Sequence, residues 1–420
     1  MKLTYKSTFV ASSIGYICQA LVINFAPLLF YTFQNVYRIT LKQIAFLMTI
    51  NFFVQLLVDA LSIKLNNHID LKKSAVWAHI LCTIGIAGLS VFPRIFPNPY
   101  TGLLTATVIA AIGGGLTEVI ISPIVEALPM KRKASVMSFL HSFYSWGQVI
   151  VVLFSTLFFS VFGTQNWTYL PLLWALVPFV NIFFFMMVPV YSLPHDENIT
   201  VKSLFNNKTF LAFILIMLSA GAAEMTMSQW ASYFAEAGLK VSNAVGNLLG
   251  PCLFAILMGS ARVIYGIKGS KIDISKGLLF SAILCLLCYL LAALSKNPII
   301  SLLGCAICGF SVGLMWPGTL SMAAGYFPKA GAALFAILAL AGDIGCSIGP
   351  WIVGQISDFV VKSYETSLFL QNFGIGKLEL GIKFGLLFIA IFPVIMIAII
   401  SVVKKTLKKN KKNSKKVLTN

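Results

Sequence analysis

The chain has 420 residues, of which 58% are hydrophobic and only 10% are charged, and its mean hydropathy is +0.89. A soluble core of this length cannot bury so much apolar surface, so the composition excludes a soluble globular protein and indicates one that crosses the membrane several times. The formal net charge of +18 would favour nucleic acid as a partner in a soluble protein. In a membrane protein the distribution of that charge along the loops predicts topology instead, and we expect no nucleic-acid partner.

Stretches of about 18 or more apolar residues predict transmembrane helices, and the chain contains twelve of them. In chain order the predicted helices are Thr8 to Tyr31, Ile44 to Ile63, Ser74 to Phe92, Tyr100 to Leu128, Ala134 to Phe162, Tyr169 to Tyr191, Thr209 to Glu236, Asn243 to Gly266, Gly277 to Leu294, Pro298 to Tyr326, Gly331 to Val361 and Phe384 to Val403. The first has no small-residue cleavage pattern, so we expect it to be retained rather than removed as a signal peptide.

A polar interval divides these helices into two sets of six. Ser7-Thr8-Phe9 opens the first set as Lys208-Thr209-Phe210 opens the second, which indicates an internal repeat. We therefore expect an all-α integral membrane protein with twelve transmembrane helices in two pseudo-symmetric six-helix bundles. The predicted domains are a first bundle at 1–191, a cytoplasmic linker at 192–207, a second bundle at 208–403 and a basic cytoplasmic tail at 404–420. Such repeats are typical of secondary transporters, whose solute site lies near the midplane between the halves.

Lys and Arg are concentrated in the tail and in the loops that face the cytoplasm when the N-terminus is inside. The positive-inside rule then predicts that both termini are cytoplasmic. The tail is expected to be a disordered topology anchor that can contact anionic membrane lipid. The Lys-, Asn- and Ile-rich composition favours the bacterial inner membrane, and a monomer is the expected form.

All eight cysteines fall inside apolar stretches, which argues against a disulfide framework. The pairs Cys285, Cys288 and Cys305, Cys308 match the spacing of a zinc ribbon, but they lie within lipid-length helices and are expected to be packing residues. The chain has no G-x-x-x-x-G-K-[ST] loop to bind ATP phosphates, and no nucleophile and base outside the membrane. We expect no enzyme activity, no cofactor and no metal, so any active transport must use an ion gradient.

One carboxylate, Glu118, lies inside the apolar stretch Tyr100 to Leu128. An acid in that position costs about 2.5 to 3.5 kcal/mol on insertion scales, and such groups usually face a protein interior or a water-filled cavity. Glu118 is therefore a candidate proton carrier, because a carboxyl group can be neutral in one state and ionised when water or solute arrives. A static acid that hydrogen-bonds a neighbouring helix is the alternative. Glu224 and Asp343 have the same two interpretations.

A rise of about 1.5 Å per residue allows the depth of each polar residue to be counted from the nearest loop lysine. By this count five residues lie at about the same depth: Glu118, Gln148, Glu224, Trp316 and Asp343. Polar residues that merely pack helices together have no reason to share a level, whereas a midplane site does.

Two further polar residues bracket that level, with His141 nearer the cytoplasmic face and Asn24 beyond the level. We expect His141 to relay protons, although a histidine that bridges two helices is the alternative. Gln148 and Asn24 are candidate donors and acceptors for solute hydroxyl groups. Aromatic residues that could stack on a sugar ring are Tyr144, Trp146, Trp230 and Trp316; ordinary interfacial aromatics are the alternative for each.

Over Thr8 to Val403 the pattern resembles the major facilitator superfamily, and several segments resemble its fucose and hexose proton-symporter branch. The segments are Gly113-Gly-Gly-Leu-Thr-Glu118 followed by Pro123, Gly221-Ala-Ala-Glu224 followed by Trp230 and Tyr233, Gly313-Leu-Met-Trp316-Pro317, and Gly345-Cys-Ser-Ile-Gly349-Pro350 with Gly354 before Asp358. The resemblance implies that Glu118 couples the proton. The fucose carriers have a second acid in the first helix, and Asn24 to Tyr31 contains none.

The loop motif of the superfamily is preserved here in part. In Gln55 to Lys64, Asp59 and the terminal basic residue Lys64 match, while the leading Gly and the Arg after Asp are absent. The resemblance implies a gating role for Asp59 and Lys64, and Arg262 at a helix end is a third gating candidate.

Three functions fit the sequence. The first is a proton-coupled importer of a small polar solute, with a sugar as the leading class. The second is an exporter of amphipathic drugs or metabolites that uses an aromatic and methionine-rich wall. The third is a transport-inactive sensor or scaffold, which the incomplete loop motif favours.

Overall fold

The structure is a computed structural model that describes residues 4–65, 70–130, 133–191, 205–268, 273–327 and 331–402, and every regular element in these ranges is helical. Within these ranges twelve helices are long and apolar enough to cross a membrane, which confirms the predicted number. We label them α1 to α12: Tyr5–Tyr37, Leu41–Leu65, Leu71–Ile95, Pro99–Glu126, Lys133–Phe162, Tyr169–Met187, Lys208–Gly238, Asn243–Tyr265, Ile274–Leu294, Pro298–Ala323, Gly331–Ser363 and Lys377–Val402. Most of the predicted linker (192–204) and the predicted tail (404–420) lie outside the described residues.

Prolines and glycines interrupt helices that the sequence predicted to be continuous. In α1, Pro27 begins a 3₁₀ turn at Ala26–Leu29, because proline lacks a backbone N–H and restricts the local φ. In α8, Pro251 lies in a π turn at Leu248–Cys252. α10 breaks at Gly313, between Val312 and Met315. These interruptions let the helices bend around the molecular centre.

The first turns of α12 are the main difference from the predicted boundaries. The prediction began at Phe384, after the charged residues, whereas the helix begins at Lys377. Lys383 Nζ lies 2.6 Å from Glu379 Oε1 and donates to the Ser295 carbonyl at 2.6 Å. The charges are thus paired inside the helix rather than marking a loop.

Helix starts repeat between the two halves of the chain. Asp70 caps α3 and Asp273 caps α9, each by accepting hydrogen bonds from backbone N–H groups of the first turn. Asn98 and Asn297 do the same for α4 and α10, and proline follows each of them at the first helical position. Corresponding helices thus begin in the same way, a second sign of the internal repeat.

Helix packing shows the same repeat. In the first half α3 packs against α4 and α6, α2 against α4, and α1 against α4, α5 and α6. In the second half the helices six places later form the same pairs. The halves meet where α2 packs against α11 and where α5 packs against α8. In the repeat α2 corresponds to α8 and α5 to α11, so these two contacts are equivalent. The fold is therefore two pseudo-symmetric bundles of six helices.

The bundles are in close contact on the side of the molecule away from the chain ends. We call this the distal side; the side where α1 starts and α12 ends is the proximal side. On the distal side Tyr233 donates a hydrogen bond to Gln34, and Gln229 Nε2 donates to the Ile23 carbonyl at 3.1 Å. A Cβ on Gly354 would lie 3.2 Å from the Leu41 carbonyl oxygen, so α11 and α2 nearly touch there.

The distal contact predicts that Gly354→Val is disruptive. Overpacking typically costs about 1 to 3 kcal/mol, so we expect a lower unfolding temperature in detergent or a wider separation of α2 and α11. Spin labels at exposed Lys42 and Lys362 measure that separation. Gly376→Val is the matched control, since no atom lies within 4 Å of its Cβ position; equal behaviour of the two variants would contradict the close contact.

Candidate functional site

A polar network joins the two bundles near mid-depth. Asn24 Nδ2 in α1 donates to the Tyr144 hydroxyl oxygen in α5 at 3.3 Å. Ser228 Oγ in α7 donates to Asn24 Oδ1 at 3.4 Å and accepts from Gln148 Nε2 at 3.0 Å. The sequence pointed to Asn24, Tyr144 and Gln148 but missed Ser228, because one serine in a helix of small residues carries no signal. The structure brings these four side chains together.

Gly147 explains why α5 presents its polar residues to α1. A Cβ on Gly147 would lie 3.0 Å from the Ile17 Cα, so only glycine permits this approach without a shift. Tyr144 and Gln148 lie one turn apart on either side of Gly147, and therefore share the face that meets α1.

A second group, the acid cluster, consists of Glu118, Asp59 and Asp343. Gln19 Nε2 donates to Glu118 Oε2 at 2.6 Å. The carboxyl groups of Asp59 and Asp343 lie close enough to interact with each other, and Glu118 is near both. Two carboxyl groups can hydrogen-bond only when one of them carries a proton. The cluster thus gathers three acids from α2, α4 and α11, and so from both bundles.

The glycine run before Glu118 positions that residue. A Cβ on Gly115 would lie 3.0 Å from the Val58 Cβ and 3.2 Å from the Gln55 Cα, so α4 lies directly on α2 at this point. Asp59 follows Val58 in α2, and Glu118 follows Gly115 by about one turn of α4. The close packing of these helices therefore brings two like charges together.

An ion pair lies beside the polar network. Arg262 Nη2 in α8 lies 3.1 Å from Glu224 Oε1 in α7, and Arg262 Nη1 donates to Ser145 Oγ in α5 at 3.2 Å. The Glu224 side chain is only 4% exposed and that of Arg262 is 26% exposed. Arg262 thus joins the two bundles and neutralises Glu224. Its gating role stays a prediction, as does proton coupling by Glu224.

Cys346 relates the acid cluster to the ion pair. Cys346 lies on α11 one turn from Asp343, and Arg262 of the ion pair bonds Ser145, the residue next to Tyr144. Cys346 is also part of a small apolar cluster against which Tyr144 and Trp316 pack. The acids, the ion pair and these two aromatic rings therefore surround one region between the bundles.

The four predicted aromatic residues have different surroundings. Trp316 is partly exposed, and its ring covers Gly342 so closely that no Cβ fits there. Trp230 is fully buried and donates to the Pro350 carbonyl at 3.0 Å, so it packs inside the second bundle. Trp146 is 44% exposed. The structure therefore brings Tyr144 and Trp316, but not Trp230, to the region between the bundles.

His141 lies in the part of α5 nearer its proximal end. Its ring is exposed and packs on Tyr16 with 5.0 Å between ring centroids. Tyr16 in turn hydrogen-bonds Ser122 at 2.9 Å, one turn beyond Glu118 in α4. His141 is thus close to the helices of the acid cluster. The Lys64 side chain lies outside the described residues, so its gating role stays a prediction together with that of Asp59.

The paired cysteines of α9 and α10 face each other in the second bundle. Cys285 Sγ lies 3.9 Å from Cys308 Sγ, and all four cysteines are buried. Across the part of the chain that is described, no group of three or more His, Cys, Asp or Glu residues is arranged to hold a metal ion.

Comparison with known proteins agrees with the fold. The sequence profile of the major facilitator superfamily matches residues 8–350, so the chain belongs to this superfamily. It is an integral membrane protein and a transporter rather than an enzyme, and members of the superfamily carry small-molecule solutes. A search of curated proteins finds no match.

Solved structures with a similar fold include several transporters. A bacterial homologue of the human lysosomal transporter Spinster, inward-facing and occupied, has a TM-score of 0.74 at 12% identity, with 96% of this chain and 97% of that chain covered. A D-xylose–proton symporter has a TM-score of 0.71 at 14% identity, with 92% and 97% covered. The transporter FucP in its outward conformation has a TM-score of 0.63 at 15% identity, with 95% and 99% covered. At these identities the likeness concerns the fold.

The ion pair predicts a stability difference. Arg262→Gln leaves Glu224 buried without its partner, and breaking such a pair costs about 3 to 5 kcal/mol. We expect a marked loss of stability in chemical unfolding of the detergent-purified protein. The double variant Glu224→Gln with Arg262→Gln should recover most of the loss, because no charge is left unpaired. A double variant as unstable as Arg262→Gln would show that the pair does not act through its charge.

Proposed function

We propose that this protein is a proton-coupled secondary transporter of a small polar solute, with sugars as the first class to test. The observation that carries the proposal is the meeting of the acid cluster and the polar network between the two bundles. The acid cluster supplies carboxyl groups that exchange protons, and the network supplies hydroxyl and amide groups that hydrogen-bond a polar solute.

Glu118 is the leading coupling residue. It is partly exposed, accepts a hydrogen bond from Gln19 and interacts with acids of both bundles. A change in its protonation therefore changes the charge at the contact between α2 and α11. Asp343 belongs to the same acid cluster. Glu224 senses the change in charge through its ion pair with Arg262. In this scheme the exposed His141 passes protons to the proximal side.

Alternating access follows from rocking of the bundles about this region. The structure is closed at its distal side, where Tyr233 and Gln34 meet, while His141 nearer the proximal side is exposed. With both termini on the cytoplasmic side, as the loop charges predict, this arrangement is inward-facing. The lysine-rich composition supports placement in a bacterial inner membrane.

The other two functions have less support. An exporter of amphipathic compounds needs an apolar wall, whereas the acid cluster and the polar network bring carboxyl, amide and hydroxyl groups to the region between the bundles. A sensor without transport predicts that Glu118 is packed away from solvent, but Glu118 is partly exposed.

The test begins with a thermal-shift screen of sugars, nucleosides and amino acids on the purified protein, because a bound solute raises apparent stability. The solute found is then used in proteoliposomes. We expect Glu118→Gln to abolish accumulation driven by a proton gradient but to allow exchange of internal for external solute, because glutamine keeps the hydrogen bond to Gln19 and cannot carry the proton.

Glu236→Gln is the matched control, since Glu236 lies at the distal end of α7 and bonds Asn243 at 3.1 Å. It should accumulate solute as the unmodified protein does. Gradient-driven accumulation that survives in Glu118→Gln would remove Glu118 from the coupling step.

A further inference from the structure

We propose that the solute carries a protonated amine, whose positive charge the acid cluster binds in exchange for a proton. The inference rests on the proposed function and names the substrate class of the same site. Its basis is the kind of atom that the cluster offers. Its carboxyl groups form no ion pair among the described residues, and two of its buried oxygens, Gln19 Oε1 and Asp59 Oδ1, have no hydrogen-bond donor there.

The first observation is the charge. Among the ion pairs that the described residues form, none includes Glu118, Asp59 or Asp343. Arg262 is already paired with Glu224. Carboxylates held between helices without a counter-charge must either take up protons or bind a cation.

The second observation is a buried acceptor at the cluster. Gln19 is only 4% exposed, and although its Nε2 bonds Glu118, its Oε1 is buried with no partner among the described residues. Asp59 Oδ1 is likewise buried and has no hydrogen-bond partner among the described residues. Both atoms need a hydrogen donor. An anion supplies none, whereas an ammonium group supplies three donors and no acceptor.

The exchange of charge balances. In the empty site Asp59 and Asp343 share one proton under this proposal, and an ammonium group that binds both carboxylates takes the place of that proton. The proton leaves to water, and the net charge of the occupied cluster is unchanged. The other titratable groups near Asp343 and Glu118 are Cys346 on α11, Glu224 on α7, Tyr16 on α1 and His141 on α5. Only His141 among them can become positive, and it packs on Tyr16 rather than on the carboxylates.

The surroundings of the cluster define the rest of the solute. Asn24, Gln148 and Ser228 offer amide and hydroxyl groups, and the ring of Trp316 is partly exposed. These groups fit a hydroxylated body with an apolar face. The predicted class is therefore a small hydroxylated amine, and an amino sugar combines both requirements.

Glucosamine is the probe for this class. N-acetylglucosamine is its neutral match, because acetylation removes the charge and the ammonium donors, and glucose lacks the nitrogen altogether. Thermal-shift titration of the purified full-length protein at pH 6 compares the three affinities. We expect glucosamine to bind at least about tenfold more tightly than either neutral sugar, since charge-assisted hydrogen bonds are the stronger ones. A pH indicator in weak buffer should report proton release with glucosamine alone.

Variants separate charge recognition from folding. Asp343→Asn should remove both the preference for glucosamine and the proton release while weaker binding of all three sugars persists. Asp358→Asn should retain both, because Asp358 pairs with Lys362 at the distal end of α11. Equal affinity for the three sugars, no binding of glucosamine, or stabilisation by sodium ion in its place would each overturn the inference.

Failure of the inference and failure of the proposed function give different results. If glucose binds as well as glucosamine while uptake still needs Glu118 and a proton gradient, the amine requirement is wrong and the transporter proposal stands. If glucosamine binds with proton release but no gradient drives its accumulation, the site binds an amine and the coupled transport is wrong.

Discussion

The carboxyl groups of Asp59 and Asp343 approach each other across the two bundles, and Glu118 lies within electrostatic range of both. Three acids in this position repel one another unless protons or a cation reduce their charge. Because Asp59 belongs to the first bundle and Asp343 to the second, a change in that charge alters the attraction between the bundles. The proposed coupling site therefore lies on a contact between the bundles.

Small residues make this arrangement possible. Gly115 brings α4 onto α2, and Gly147 brings α5 onto α1. On the other side of the interface, a Cβ on Gly345 would lie 2.8 Å from the Ala222 backbone nitrogen, so α11 and α7 pack equally closely. Helices in lipid associate through such close approach rather than through hydrophobic burial. The glycines thus stabilise each bundle and at the same time place charged residues where burial alone would disfavour them.

The number of helices and the internal repeat could be predicted from the sequence, because apolar length and residue spacing determine them. The common depth of Glu118, Asp343, Gln148 and Trp316 stays a prediction. Depth does not define which side of a helix a residue occupies. Trp230 is a candidate for stacking on a solute by its residue type, but it is buried in its own bundle, where its indole N–H donates to the Pro350 carbonyl. Gln19 and Ser228 gave no signal because single polar residues are common in helices, and only the packing of α1 and α7 reveals their partners.

We propose that solute movement and proton movement are coupled through one region between the bundles. The most direct test is to record an internal pH indicator and labelled solute simultaneously in proteoliposomes that contain the unmodified protein, with a solute that stabilises the purified protein. The account predicts that adding solute starts proton movement at a fixed ratio to solute movement, and that neither occurs in vesicles without protein. Solute that equilibrates across the membrane with no accompanying proton movement would contradict it.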